Sequence, residues 1–226
     1  VPHKVAALEA ADACEHSVEE IGAANTLYHD AELGWVAANT DYDAALTTLC
    51  LGLKSTFDPE TESYKDLLAG RRVLMLGAGG GARAIAAGLT DAGVDLMISN
   101  RTHEKAVELA REFGCREVNW ENRGSGFFDI LVNCTTVGMH PDLDRTPFQQ
   151  SWLRDGMLVF DTIYTPERTL LIKEAQEHLC RTVTGVEMFI RQAAAQYERF
   201  TNMPAPLDLM RETLRHKISP ARYNDV

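Results

Sequence analysis

The stretch VLMLGAGGGARAIAAGL at residues 73–89 restricts the fold of this chain more than any other. An apolar run ends in Gly77-Ala78-Gly79-Gly80-Gly81-Ala82, and an alanine-rich segment continues from it without a break. The pattern is a strand, a tight turn and a helix, with small residues spaced as G-x-G-x-x-G/A. Gly77 suits the turn itself, Gly79 lets the backbone approach a pyrophosphate, and Ala82 permits close packing of helix on sheet. The first N–H groups of the helix have no partner within it, so they face the anion. A glycine-rich strand-to-helix turn that binds nothing is the alternative; the flanking strand and helix favour the dinucleotide.

The end of the next strand bears on which dinucleotide. In an NAD-binding fold an acid about 20 residues further on bonds the ribose 2′-hydroxyl. Here the strand expected at 95–99 runs into Asn100-Arg101-Thr102, with Lys105 one turn later. A carboxylate would repel a 2′-phosphate, whereas Arg101 and Lys105 would pair with it, and Asn100 and Thr102 offer neutral hydrogen bonds. The pattern points to NADP. The plainer reading is a helix start with Thr102 as N-cap and Arg101 in solvent. With 22 Lys+Arg against 33 Asp+Glu, the chain carries a formal charge of -11 and repels nucleic acid and anionic membranes. An anionic ligand therefore needs a local basic site.

Further strands are expected at 73–76, 116–119, 129–134, 158–163 and 181–184, and helices at 82–91, 104–113 and 169–178. Strands that alternate with helices make a parallel sheet, so the fold class is α/β. FFDILVNC, residues 127–134, is apolar enough for a central strand covered on both faces. It ends in Thr135 and Thr136, at the carboxyl edge where open α/β sheets bind ligands. Before the sheet lie a helix at 4–11, strands at 25–28 and 35–38, a helix at 42–53 and a polar linker at 55–64. After it come helices at 186–201 and 207–216 that return to the first region. Hydrophobic residues at 45% supply a core. Five scattered cysteines without a C-x-x-C pair read as reduced, mostly buried thiols, and no histidine spacing fits a metal. Without a membrane-length apolar run or a secretory pattern, the expectation is a soluble cytoplasmic protein.

Eight stretches in order resemble the shikimate dehydrogenase family: V-P-H-K at 1–4, I-G-A-A-N-T at 21–26, N-T-D at 39–41, G-A-G-G-G-A at 77–82, N-R-T at 100–102, V-N-C-T-T-V-G-M at 132–139, F-D-T-I-Y-T-P at 160–166 and G-V-E-M-F-I-R-Q-A at 185–193. Q-Y-E-R-F-T-N-M-P-A-P at 196–206 is similar to members fused to a 3-dehydroquinate dehydratase. The resemblance implies reversible, NADPH-dependent reduction of 3-dehydroshikimate to shikimate, in the synthesis of chorismate and the aromatic amino acids. It implies Lys4 and Asp41 as the acid–base pair, and hydride arriving at a carbonyl does leave charge on oxygen for an ammonium to neutralise. It implies that Asn25 and Gln192 bond the substrate hydroxyls and that Tyr164 lies where substrate meets nicotinamide. Thr135, Thr136 and Gly185 would run along the cofactor. Each residue has a plainer reading: a solvated Lys4, Asp41 as an N-cap, Asn25 in a turn, Gln192 on a helix surface, and threonines closing a strand.

The implied architecture is a Rossmann-like parallel sheet with helices on both faces, at 67–184. A smaller, discontinuous substrate domain comprises 1–66, closed by the C-terminal helices of 185–226. Ala24 and Ala44 depart from the family's usual Val and Gly, with effects expected on packing only. Family members also have a further segment before V-P-x-K, with a Ser-x-Ser element for the substrate carboxylate and a Thr just before the position of Val1. The substrate domain is therefore expected to be N-terminally truncated, with one wall open and a sheet edge exposed. Two other readings stand beside the enzyme: an NADP-binding fragment without turnover, and a quinate-using relative that prefers NAD. The resemblance leaves monomer and homodimer both open.

Overall fold

The computed structural model describes residues 3–218, apart from the side chains of His16 and Ser17; Val1 and Pro2 of V-P-H-K and the end of the 185–226 segment lie outside them. The chain opens with α1 (Lys4–Glu9), β1 (Ala13–Cys14), α2 (His16–Ile21), β2 (Thr26–Asp30) and β3 (Gly34–Ala38). The three strands form a small sheet in the order β1-β3-β2, with β1 parallel and β2 antiparallel to β3. Then come α3 (Asp41–Leu53), the polar loop expected at 55–64 and α4 (Tyr64–Leu68). Ser63 caps α4, its hydroxyl accepting from the Lys65 N–H at 3.2 Å.

The regular alternation follows: β4 (Arg72–Leu76), α5 (Gly80–Asp91), β5 (Asp95–Ser99), α6 (His103–Glu112), β6 (Arg116–Glu117), β7 (Ile130–Asn133), β8 (Leu158–Asp161), α7 (Leu170–Glu177) and β9 (Arg181–Thr184). These strands make one parallel six-stranded sheet in the order β6-β5-β4-β7-β8-β9. Counted within the sheet, the order is that of the doubly wound dinucleotide fold, which reverses direction between its first and fourth strands. Here those are β4 and β7, so a crevice opens at their carboxyl ends. β7 and β8 are buried at every residue, as apolar central strands should be.

Two cores hold the sheet between layers. On one face Met75, Ile98 and Val132 pack with Leu46 and Leu49 of α3 and Ile85 and Leu89 of α5. On the other, Leu74, Leu131 and Val159 pack with Phe148 and with Leu171 and Ile172 of α7. A Cβ on Gly88 would sit 3.0 Å from Leu46 Cγ, so the bare backbone of α5 lets α3 cross closely. The last helices are α8 (Gly185–Thr201) and α9 (Leu207–Ile218), and α8 packs on α3 and on β2. α3 thus belongs to the core of the large sheet and also links it to the small one.

β1, α2 and α4 are too short to show a periodic pattern, and the sequence reading does not contain them. The cysteine expectation needs correcting: Cys50 and Cys180 are buried, but Cys14, Cys115 and Cys134 are only partly so, because they fall at element ends. All five are free thiols. Among the described residues, no helix is long and apolar enough to cross a membrane.

Candidate active site

The turn after β4 reaches across the crevice. Gly77 has φ +111°, its N–H donates to the Ser99 carbonyl at 2.8 Å, and a Cβ there would lie 2.9 Å from the carbonyl carbon of Cys134 beyond β7. Only glycine meets both demands. Ala78 and Ala82 pack into the core beneath. Gly79 is the N-cap of α5 and places no side chain over the helix end. A Cβ on Gly79 or Gly81 would meet nothing within 4 Å, so open space lies against the loop where a pyrophosphate would sit. The residues present fit such a group.

Beyond β5, Thr102 is the N-cap of α6, but its hydroxyl caps nothing. Asn100 Nδ2 instead donates to the Thr102 carbonyl at 2.8 Å. Arg101 and Lys105 are exposed and have no ion-pair partner among the described residues. The helix-start reading therefore explains the backbone and leaves two cations and a hydroxyl unused beside the glycine turn.

Two cavities flank α8, one of about 360 Å³ and one of about 540 Å³, and Lys4, Tyr164, Phe189 and Gln192 line both. Lys4, the first residue of α1, donates to Asp41, the first of α3, in a salt bridge. The lysine side chain is 20% exposed and the carboxylate 4%. The N-cap of α3 is Thr40, not Asp41, so the acid is free for the lysine. Asn39 locks the turn between them, accepting from the Asp41 N–H at 2.9 Å and donating to the Ala23 carbonyl at 2.8 Å. Lys4 also lies against the cofactor side: a Cβ on Gly80 would be 3.7 Å from its Cδ.

Asn25 lines the larger cavity. Its oxygen accepts from the Thr40 N–H at 3.0 Å and the Thr26 hydroxyl at 2.8 Å, and its nitrogen donates to Thr40 Oγ1 at 3.0 Å. One amide hydrogen remains for a ligand. Tyr164 stacks on Phe189, ring centroids 4.5 Å apart. Phe189, Gln192 and Gln196 follow one face of α8, three and four residues apart.

Family models described as "Shikimate / quinate 5-dehydrogenase" and "Shikimate 5'-dehydrogenase C-terminal domain" match residues 60–136 and 185–215. The NADP(+) shikimate dehydrogenase of Shouchella clausii is 35% identical over 220 residues, covering 95% of this chain and 76% of that protein. The chain belongs to the shikimate dehydrogenase family. The chloroplastic bifunctional 3-dehydroquinate dehydratase/shikimate dehydrogenase of Arabidopsis thaliana is 38% identical over 214 residues, 92% of this chain but 36% of that protein. A crystal structure of the Thermus thermophilus shikimate 5-dehydrogenase with NADP(H) and shikimate superposes with a TM-score of 0.81 at 31% identity, covering 96% of this chain and 76% of that one.

Within this family architecture the threonines divide. Thr135 lines the smaller cavity, but its hydroxyl donates to Asn133 Oδ1 at 2.7 Å and accepts from the Val137 N–H at 3.2 Å, as a strand-closing residue does. Thr136 is exposed at the cavity wall. Gly185 lines the same cavity, and a Cβ there would fall 2.5 Å from the Thr162 carbonyl carbon, so packing alone demands glycine. The structure gathers Lys4, Asp41, Asn25, Tyr164 and Gln192 around the two cavities; Asn100, Arg101, Thr102 and Lys105 lie apart, beyond β5. Sequence reasoning missed Phe189 and Gln196, whose only signal is helical spacing from Gln192. It also missed Asn39 and Asp161, buried polar residues inside the quoted motifs.

Proposed function

We propose that this chain carries out NADP-dependent interconversion of 3-dehydroshikimate and shikimate. The observation that supports this most is the Lys4–Asp41 pair, set where the two cavities meet beside the glycine turn. A reduced nicotinamide, when bound, supplies hydride to the 3-keto carbon. The carbonyl oxygen then becomes an alkoxide, and Lys4 Nζ donates the proton that completes the hydroxyl. Asp41 accepts from the ammonium and aims it. In the reverse direction Lys4, as the free amine, would take the hydroxyl proton, and an oxidised nicotinamide, when bound, would supply the hydride acceptor. Asn25 and Gln192 bond the ring hydroxyls, and Tyr164 on its Phe189 support closes the junction. Gly77, Gly79, Gly80 and Gly81 cradle the pyrophosphate while Arg101 and Lys105 take the 2′-phosphate. On this reading 1–66 with 185–226 forms the substrate domain and 67–184 the nucleotide domain. Five free thiols suit a cytoplasmic setting.

The test is NADPH formation from shikimate and NADP+, followed by absorbance, with NAD+ and quinate as parallel arms and calorimetric titration of NADP+ alone. Turnover with shikimate and NADP+ supports the proposal. Binding without turnover identifies an NADP-binding fragment, and faster turnover of quinate with NAD+ moves the substrate assignment to quinate.

A further inference from the structure

Asp161 ends β8 fully buried, and no cation pairs with it among the described residues. Three donors converge on its carboxylate instead. Asn133 Nδ2 at 3.0 Å and the Ile163 N–H at 3.1 Å bond Oδ1, and the Thr169 hydroxyl at 2.7 Å bonds Oδ2. Asn133, also fully buried, cannot flip, because its own oxygen accepts from the Thr135 N–H at 3.0 Å and the Thr135 hydroxyl at 2.7 Å. Its carbonyl accepts from the Thr162 hydroxyl at 2.8 Å. Thr169 is the N-cap of α7 and accepts from the Ile172 N–H at 3.3 Å. A single carboxylate thus joins the loop after β7, the loop after β8 and the start of α7. Those two loops supply Cys134, Thr135 and Thr136, and Thr162 to Thr165, to the wall of the cavity that holds Lys4 and Asp41.

A buried carboxylate is costly to desolvate, and an apolar side chain of like size often gives a more stable protein, so stability does not account for an acid here. What it offers that Leu cannot is three fixed bond directions. We propose that Asp161 is a positioning residue, holding the two loops so that Thr136 and Tyr164 meet cofactor and substrate at a fixed separation; this rests on the dehydrogenase reading above. Asn25 and Gln192, on β2's approach and on α8, make no bond to this network.

Three variants test it: Asp161→Asn, Asp161→Leu and Thr169→Val. Asn at this position still accepts from Asn133 and Ile163, and its Nδ2 donates to Thr169 Oγ1 where the carboxylate accepted from it, so all three contacts are kept without charge, the third reversed. The readouts are calorimetric NADP+ affinity, kcat, both KM values, and hydrogen exchange over 133–137 and 162–166. Asp161→Asn should stay within about threefold of wild type, while Asp161→Leu should lose about tenfold or more in NADP+ affinity and in kcat. KM for shikimate, to which Asn25 and Gln192 contribute beside Tyr164, should rise by a smaller factor than the NADP+ affinity falls. A mere loss of stability would lower the active fraction, hence kcat, and leave both KM values and the affinity unchanged. If Asp161→Leu does not fold, Thr169→Val should shift the same quantities in the same direction by a smaller factor. Wild-type NADP+ affinity and exchange in Asp161→Leu or Thr169→Val would overturn the proposal, as would an Asp161→Asn as impaired as the Leu variant. A wild type that binds NADP+ but turns over no shikimate defeats the dehydrogenase reading alone, since affinity and exchange still judge Asp161.

Discussion

Replacing Gly185 with Ala separates a glycine required by packing from one required by a ligand. Gly185 opens α8 without a positive φ, so alanine suits its backbone; space is the obstacle. The new Cβ would lie 2.5 Å from the carbonyl carbon of Thr162 and 2.7 Å from that of Ile163. Carbon atoms pack at about 3.5 Å or more, so α8 and the loop after β8 must part by about 1 Å. Backbone gives way less readily than a side-chain tip, and overpacking of this kind costs about 1–3 kcal/mol. For a chain of this length that lowers Tm by roughly 2–12 °C. The same displacement moves Gln192 and Phe189 against Tyr164, and a 1 Å error at a reacting centre costs up to about a hundredfold in rate. Gly79→Ala is the control: a Cβ there meets nothing within 4 Å of the protein, so Tm should hold while NADP+ affinity falls, because the methyl occupies the phosphate cradle. Melting curves and NADP+ titrations on both variants check this. Gly185→Ala melting with wild type, or Gly79→Ala binding NADP+ normally, would refute these assignments.

Lys4→Met should lower kcat by about 10²- to 10⁴-fold with NADP+ affinity within about twofold, read by steady-state kinetics and titration; an unchanged kcat removes Lys4 from proton transfer. Arg101→Ala should weaken NADP+ about tenfold and NAD+ hardly at all, and raising the salt should erode wild-type NADP+ binding faster than NAD+ binding, since Arg101 and Lys105 are exposed. Burial pushes the Asp161 carboxyl up to about 6 from 3.8, against the donors Thr169, Ile163 and Asn133. The folded state therefore holds more protons than the unfolded one between about pH 4 and 6, so this group's contribution favours folding at acid pH and is lost as pH rises through 6. Asp161→Asn should gain stability relative to wild type over that window, by an amount on the order of 3 kcal/mol once complete; Tm differences measured from pH 4 to 8 would show no such slope if the carboxyl titrates normally.

How far the sequence reveals this site depends on whether each constraint is local. The strand, turn and helix around Gly77 are legible because sterics within a few residues dictate the spacing, and the parallel order follows from regular alternation. β1 is two residues long and exists by pairing with β3, Ala13 opposite Val36, which no local pattern announces. Lys4 and Asp41 stand 37 residues apart, and only family resemblance joins them in the sequence. Asp161 reads as the polar end of an apolar strand, because one of its donors, Asn133, comes from 28 residues upstream. Resemblance sets Gly185 along the cofactor, whereas its nearest constraint is the backbone at Thr162, just past the end of the neighbouring strand β8.

The electrostatics of the crevice follow from where helices begin. Asp41 is the first residue of α3, Gly81 lies in the first turn of α5, and Gly185 starts α8, and all three line the cavity that holds Lys4. Each helix of this length presents roughly half a positive charge at its N-terminus, so three converge where an ammonium also sits. In a chain of charge -11, this gives a phosphate-bearing ligand a positive region built mainly from backbone, with Lys4 the only Lys or Arg along either cavity among the described residues. Asp41 then has a role beyond aiming its partner. A carboxylate at the start of α3 accepts from the Lys4 ammonium and offsets the positive helix ends gathered around it. On the proposed mechanism the same dipoles would stabilise the alkoxide, since its charge would form where the fold opposes a negative one least.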